Sequence, residues 1–146
     1  MTQEYSVTVR REIAARAEDL FDAWLDAESL GSWFRPSGGQ TRVETDPRVG
    51  GTFRFVMVSG DSSVVASGTY REIDRPHRLV FSWSSRDTSF RESIVTVTFQ
   101  QSHGSTAVEI HQIGLPDDRS QASHQSGWSV ILREFASTYE KKVGRE

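Results

Sequence analysis

SIVTVTFQQSHGSTAVEIHQIGLPDDRSQASHQSGWSVILREFASTYEKK, residues 93–142, contains the change of period that decides the fold. In its first half Val95, Val97 and Phe99 alternate with Ile94, Thr96 and Thr98. After the SHGS turn, Val108, Ile110 and Gln112 alternate with Ala107, Glu109 and His111. Successive side chains of a strand point to opposite faces, so a period of two with one apolar face reads as half-buried antiparallel strand. Beyond Pro116, Asp117 and Asp118 the period changes, and His124, Trp128, Ile131, Phe135 and Tyr139 recur every three or four residues. That stripe predicts an amphipathic helix over about 118–142. Lys141 and Lys142 fall in its last turn, where cations offset the negative end of the helix dipole.

Upstream, most of the chain repeats the strand pattern. Residues 4–13, EYSVTVRREI, carry Tyr5, Val7 and Val9 on one side. Then AEDLFDAWLDAESLGSWF places Leu20, Phe21 and Trp24 at helical spacing, behind the acidic Glu18 and Asp19 that suit a first turn. Gly31 is read as an interruption, which predicts one helix over about 17–26 and a second over about 28–34. After the loop RPSGGQ come short strands from TRVETD onward: Phe53, Phe55 and Met57 share one face, and Leu79, Phe81 and Trp83 another. RDTSFR, polar apart from Phe90, reads as a mobile loop.

The expected order is strand, two short helices, about six strands, then one long helix. A single helix covers one face of a sheet, so the strands must curl to protect the rest. Gly50-Gly51 and Gly68 stand where bulges or bends would allow that. The expected fold is therefore α+β: a curved antiparallel sheet of six to seven strands around a C-terminal helix, one domain over 1–146. Such a sheet leaves a space beside the helix unless large side chains fill it, and that space is where a ligand would sit.

Composition narrows the function classes. The chain has 146 residues, 36% hydrophobic and 25% charged, which fits a folded globular domain. No apolar run approaches the roughly 20 residues of a membrane-spanning helix. The start, MTQEYSVTVRREI, lacks the apolar segment of a signal peptide. There is no cysteine, so disulfides and thiolate chemistry are excluded, and a cytoplasmic location is expected. Net charge is −3 with scattered basic residues, against the basic stripe that nucleic-acid binding needs.

The candidate site follows from the faces. His124 shares the helical stripe with Trp128 and Ile131 and should point toward the sheet, either as a ligand-anchoring donor or a general acid/base, or as a histidine hydrogen-bonded near the helix start. Phe53, Phe55, Met57, Tyr70, Phe81 and Trp83 either line an apolar cavity or pack as ordinary core, Tyr70 offering a hydroxyl. Val97 and Ile110 extend the same inward face. Trp33 and Phe34, beside the Pro-Gly loop, either gate the cavity or plug it. Gln112 is an amide on an apolar face and needs partners: His124, Tyr70 or a ligand. Glu72 follows Gly68 and Tyr70 in alternation but stands near a strand end, where water is the simpler environment. His77, His103, His111 and His124 are too dispersed for a metal motif, no Gly-rich loop opens a helix, and no G-x-S-x-G is present. No cofactor or metal is expected.

The ordered set FDAWLDAESLGSWFRP, VGGTFRFVM, GTYREIDRPHRLVFSW, VTVTF, GLPDD and HQSGWSVILREF, spanning about residues 5–140, resembles the activator-of-heat-shock-chaperone-ATPase-homologue branch of the START-like (SRPBCC) superfamily. The resemblance implies the helix-grip fold shared with birch-pollen allergens, polyketide cyclases and lipid-transfer START domains. There are two departures. The eukaryotic chaperone activators carry a separate N-terminal domain for which this chain has no room, and Gln112 stands where many relatives have His. The first expectation is a carrier, sequestration or resistance-type protein holding a small hydrophobic or aromatic molecule, as a monomer or homodimer. The alternatives are a cavity enzyme of the cyclase, dehydratase or hydrolase type, and a chaperone-linked interaction module.

Overall fold

The period-two stretches become seven strands and the final stripe becomes one helix. The computed structural model describes residues 5–36 and 38–143, with side chains as far as residue 140. Lys141 and Lys142 lie outside the described side chains. The chain runs β1 (Tyr5–Ile13), α1 (Ala17–Ala23), α2 (Ala27–Trp33), β2 (Gln40–Thr45), β3 (Thr52–Ser59), β4 (Ser62–Asp74), β5 (Arg78–Trp83), β6 (Ser93–Ser102), β7 (Ser105–Leu115) and α3 (Asp118–Val143). The strands form one antiparallel sheet in the order β1-β7-β6-β5-β4-β3-β2, and this is the expected helix-grip architecture. β1 closes against β7, with Val9 opposite Ile110, so the first strand borders the last and both lie under α3.

The curl is built where the glycines fall. β4 pairs with β3 along its first part and with β5 along its last, and its register slips between Tyr70 and Glu72. A Cβ at Gly68 would lie 1.9 Å from the Ser82 carbonyl oxygen, so the close approach there requires glycine. Gly50, at φ 87°, donates its N–H to the Tyr70 carbonyl at 2.8 Å, and Tyr70 N–H returns a bond to Gly51 at 2.9 Å. The β2–β3 turn is thus stitched to the bend in β4.

Two local expectations need correction. Gly31 does not break the early helical segment. The break falls at Trp24–Leu25, and the Asp26 carboxylate caps α2 by accepting from Ser29 N–H at 3.0 Å. Gly31 lies inside α2, where its missing Cβ lets the helix approach the Thr41 carbonyl of β2; an added Cβ would stand 3.3 Å away. RDTSFR is not a free loop either. Arg86–Thr88 form a 3-10 turn closed by reciprocal bonds, Asp87 N–H to Ser85 Oγ at 3.1 Å and Ser85 N–H to Thr88 Oγ1 at 3.1 Å. The Ser120 hydroxyl of α3 donates to the Asp87 carbonyl at 2.5 Å and pins the turn to the helix. Side-chain caps of this kind satisfy backbone groups that a loop of this composition would leave to water.

Asp117 caps α3 by accepting from Ser120 N–H at 2.8 Å. The helix buries Trp128, Ile131, Leu132, Phe135 and Ala136 against the concave face of the sheet. At the centre of that core is Trp24, whose ring meets Trp33 at 5.0 Å between centroids, Phe135 at 5.9 Å and Trp128 at 6.5 Å. Burying a large apolar side chain stabilises by about 1.5–3 kcal/mol, so this aromatic cluster dominates the cohesion of helix and sheet.

Candidate functional site

Two indoles from distant parts of the chain make the walls of the site. Trp83 ends β5 and Trp128 lies in α3, with ring centroids 5.4 Å apart and planes inclined by 57°. A buried relay fixes them relative to each other. Trp128 Nε1–H donates to Gln112 Oε1 at 2.7 Å, Gln112 Nε2 donates to Ser93 Oγ at 2.9 Å, and Ser93 Oγ–H donates to the Trp83 carbonyl at 2.6 Å. Both ends of the Gln112 amide are therefore bonded, to Ser93 and Trp128 rather than to His124 or Tyr70.

Beside these walls a cleft of about 490 Å³ opens to solvent between the first half of α3, the β3–β4 hairpin, the 3-10 turn and the loop after α2. Its floor is Phe34, Met57, Trp83, Trp128 and Ile131. Its rim is polar, with Ser59, Ser62 and Ser85 from the sheet side, Arg86 and Asp87 from the turn, and Ser123, His124 and Ser126 from the helix.

His124 is 9% exposed, and its hydrogen bonds define its tautomer. Nδ1 lies 2.7 Å from the Ser120 carbonyl oxygen, which can only accept, and 3.3 Å from Ser120 Oγ, whose proton goes to the Asp87 carbonyl. Nδ1 must therefore carry the hydrogen of the neutral imidazole. Nε2 is left as a lone pair. It has no hydrogen-bond partner among the described residues and is not sealed in the core, and its ring lines the cleft.

Among the other residues singled out from the sequence, Phe53, Phe55, Tyr70 and Phe81 lie beneath the cleft with Trp24, Phe34 and Trp83, around a void of only about 10 Å³. In this conformation that space holds at most a water molecule. Burial raises the phenol pKa of Tyr70, and its 2.6 Å hydrogen bond with Thr45 only partly offsets this. Trp33 is fully buried against Phe135, at 4.2 Å between centroids, and donates to Ser29 Oγ at 3.2 Å. Val97 and Ile110 face each other across β6 and β7 in the sealed interior. Glu72 is exposed and pairs with Arg78 at 3.0 Å.

Apart from His124, the sequence reading did not include the rim. Ser123, Gly127, His124, Trp128 and Ile131 follow one helical stripe, so the helix contribution was available from spacing alone. Arg86 and Asp87 come from the 3-10 turn, and Ser59 and Ser62 from the strand ends that flank the β3–β4 turn, and no local pattern encodes where these are placed against the helix. Trp24 was legible only as a helix-face residue. Among the described residues no group of three or more metal-ligating side chains comes together, and no helix is long and apolar enough to cross a membrane.

A coiled antiparallel sheet gripping one long C-terminal helix defines the helix-grip class of the START-like superfamily. Within it, the chain belongs to the family described as activator of Hsp90 ATPase homolog 1-like protein, whose model matches residues 14–140. The fold is similar to that of protein CV1439 from Chromobacterium violaceum, with a TM-score of 0.80 at 23% identity over 93% of this chain and 97% of that one. It is also similar to protein NE0264 from Nitrosomonas europaea, with a TM-score of 0.79 at 18% identity over 96% of this chain and 97% of that one. CalU16 from Micromonospora echinospora gives a TM-score of 0.72 at 21% identity over 96% of this chain and 79% of that one. At these identities the likeness is one of fold. No curated protein matches the chain.

Proposed function

We propose that the protein binds a small hydrophobic or aromatic molecule in the cleft between α3 and the β3–β4 hairpin, as a carrier, sequestering or resistance-type protein. The supporting observation is the cleft itself, whose 490 Å³ lies inside the roughly 300–1,000 Å³ range usual for small-molecule sites. Its floor of two indoles, a phenyl ring and two aliphatic chains would gain from covering apolar surface. The absence of cysteine from the sequence fits a cytoplasmic setting, and the reading is compatible with a monomer or a homodimer.

Native mass spectrometry of freshly purified protein, followed by thermal-shift screening of apolar compounds, tests this. Bound compounds should stabilise the wild type but not Gly127→Phe, which would put a ring into the cleft from a position where a Cβ meets only Pro36 at 3.8 Å. Equal stabilisation of both proteins would exclude this cleft as the site.

A second reading is a cavity enzyme, favoured by His124 alone: an imidazole oriented through Nδ1 by a backbone carbonyl and free at Nε2 has the arrangement of a general base. A chaperone-linked interaction module would call for a continuous exposed apolar patch. Among the described residues, the large apolar side chains that stand in solvent, Val49, Val65 and Phe90, belong to three separate segments.

A further inference from the structure

We infer that the ligand of this cleft is a neutral apolar molecule carrying a hydroxyl or N–H group that donates to Nε2 of His124. The inference rests on the cleft reading above and adds the ligand's chemical class. Three observations support it. His124 is nine-tenths buried at the edge of an apolar floor, so a group meeting it there leaves most of its water behind. Its Nδ1–H is committed to the Ser120 carbonyl at 2.7 Å, and the one hydroxyl near enough to compete donates elsewhere, to Asp87 at 2.5 Å. The exposed edge of the neutral ring is therefore an acceptor and discriminates for donors. The sequence suggests a histidine that anchors by donating; the structure reverses the direction of the bond.

The remaining charges at the cleft settle the ligand's own charge. Among the described residues, Arg86 and Asp87, adjacent on the anchored 3-10 turn, are the charged residues lining it beside the neutral His124, and they are opposite in sign. Neither a carboxylate nor an ammonium group gains from such a pair as a whole, and a hydroxyl needs neither. The seryl hydroxyls of the rim donate and accept alike and select nothing. The polar preference of the site thus falls on the one group whose role is fixed.

Matched probes separate this inference from the cleft reading. Naphthalene, 2-methoxynaphthalene and 2-naphthol present the same rings with no polar group, an acceptor, and a donor. At about pH 8.5, above the range in which imidazoles titrate, titration calorimetry should show 2-naphthol binding about fivefold or more tighter than 2-methoxynaphthalene. In His124→Phe that preference should vanish while the methoxy compound keeps its affinity. Long-range proton–nitrogen spectra of the wild type read the tautomer directly, whatever the stability of the variant. They should show His124 protonated at Nδ1, with Nε2 shifting when 2-naphthol is added. Equal affinity for the hydroxyl and methoxy probes, or an imidazole protonated at Nε2, overturns the hydroxyl inference and leaves the cleft reading standing. Failure of all three probes to bind removes both.

Discussion

The indole of Trp128 and the amide of Gln112 are joined by a 2.7 Å hydrogen bond in a region where Gln112 is fully buried and Trp128 only 2% exposed. This contact ties α3 to β7 at the point where the helix meets the cleft, and Ser93 extends it to β6 and β5. Because both amide atoms are bonded, Gln112 acts as a positioning residue for the Trp128 wall. Gln112→Leu keeps the volume but strands the indole N–H and takes away the amide that donates to Ser93 Oγ, whose own proton stays on the Trp83 carbonyl, so it should destabilise by about 2 kcal/mol. Combining it with Trp128→Phe, which removes the stranded donor, should give a total smaller than the sum by about 1 kcal/mol or more in urea titrations. Strict additivity would mean that the bond contributes nothing.

Gly127 sits in the interior of α3 with no neighbour closer to an added Cβ than Pro36, at 3.8 Å. An interior helical glycine costs about 0.5–1 kcal/mol relative to alanine. Gly127→Ala should therefore raise stability by about that amount in chemical denaturation. A fall in stability would mean that Pro36 and the loop after α2 crowd a side chain at this position.

Gly68→Ala should have the opposite sign and a larger size. Its Cβ would fall 1.9 Å from the Ser82 carbonyl oxygen and 2.6 Å from Cζ of Phe53. The backbone oxygen cannot move without unpairing β4 from β5, so a loss of about 3 kcal/mol or more is expected, seen as a collapse of the thermal transition. A near-neutral variant would be incompatible with the bend described for β4.

Stability should decline in alkali. Burial raises the Tyr70 phenol above its ordinary value of 10.0, against the lowering by its bond with Thr45, and burial also raises Tyr139. The folded chain therefore holds protons that the unfolded chain releases above about pH 10. The contribution is fully present below that pH and is lost as pH rises toward the folded-state values. Urea midpoints measured from about pH 8 to about pH 11 should be flat and then fall. Tyr70→Phe should lower stability in the flat region, through loss of the Thr45 bond, and reduce the slope of the fall. An unchanged slope would mean that Tyr70 ionises in the folded state as it does in water.

Strand periodicity made most of the fold legible. Val95, Val97 and Phe99 are all buried, as are Val108, Ile110 and Gln112 on the paired strand. The capping residues were there to be read as well, since Asp26 marks the start of α2 more strongly than Gly31 marks an end. The aromatic side chains were the ambiguous part: an inward Phe53 or Phe81 fills a core and lines a cavity with the same periodicity.

What the sequence by itself determined was which face of each element is apolar, where the chain turns, and hence a curved sheet around one helix. Those properties depend on side-chain period and backbone conformation, which are local. Only the tertiary structure decided that Gln101 would cap α1 by accepting from Ala17 N–H at 2.9 Å, that Gln112 would bond Trp128 and not His124, and that Arg86 and Asp87 would share a cleft with α3. Each of these relations joins groups far apart in the chain. Hydrogen bonds are short and directional, so they form only where the whole fold has already brought their atoms within about 3 Å.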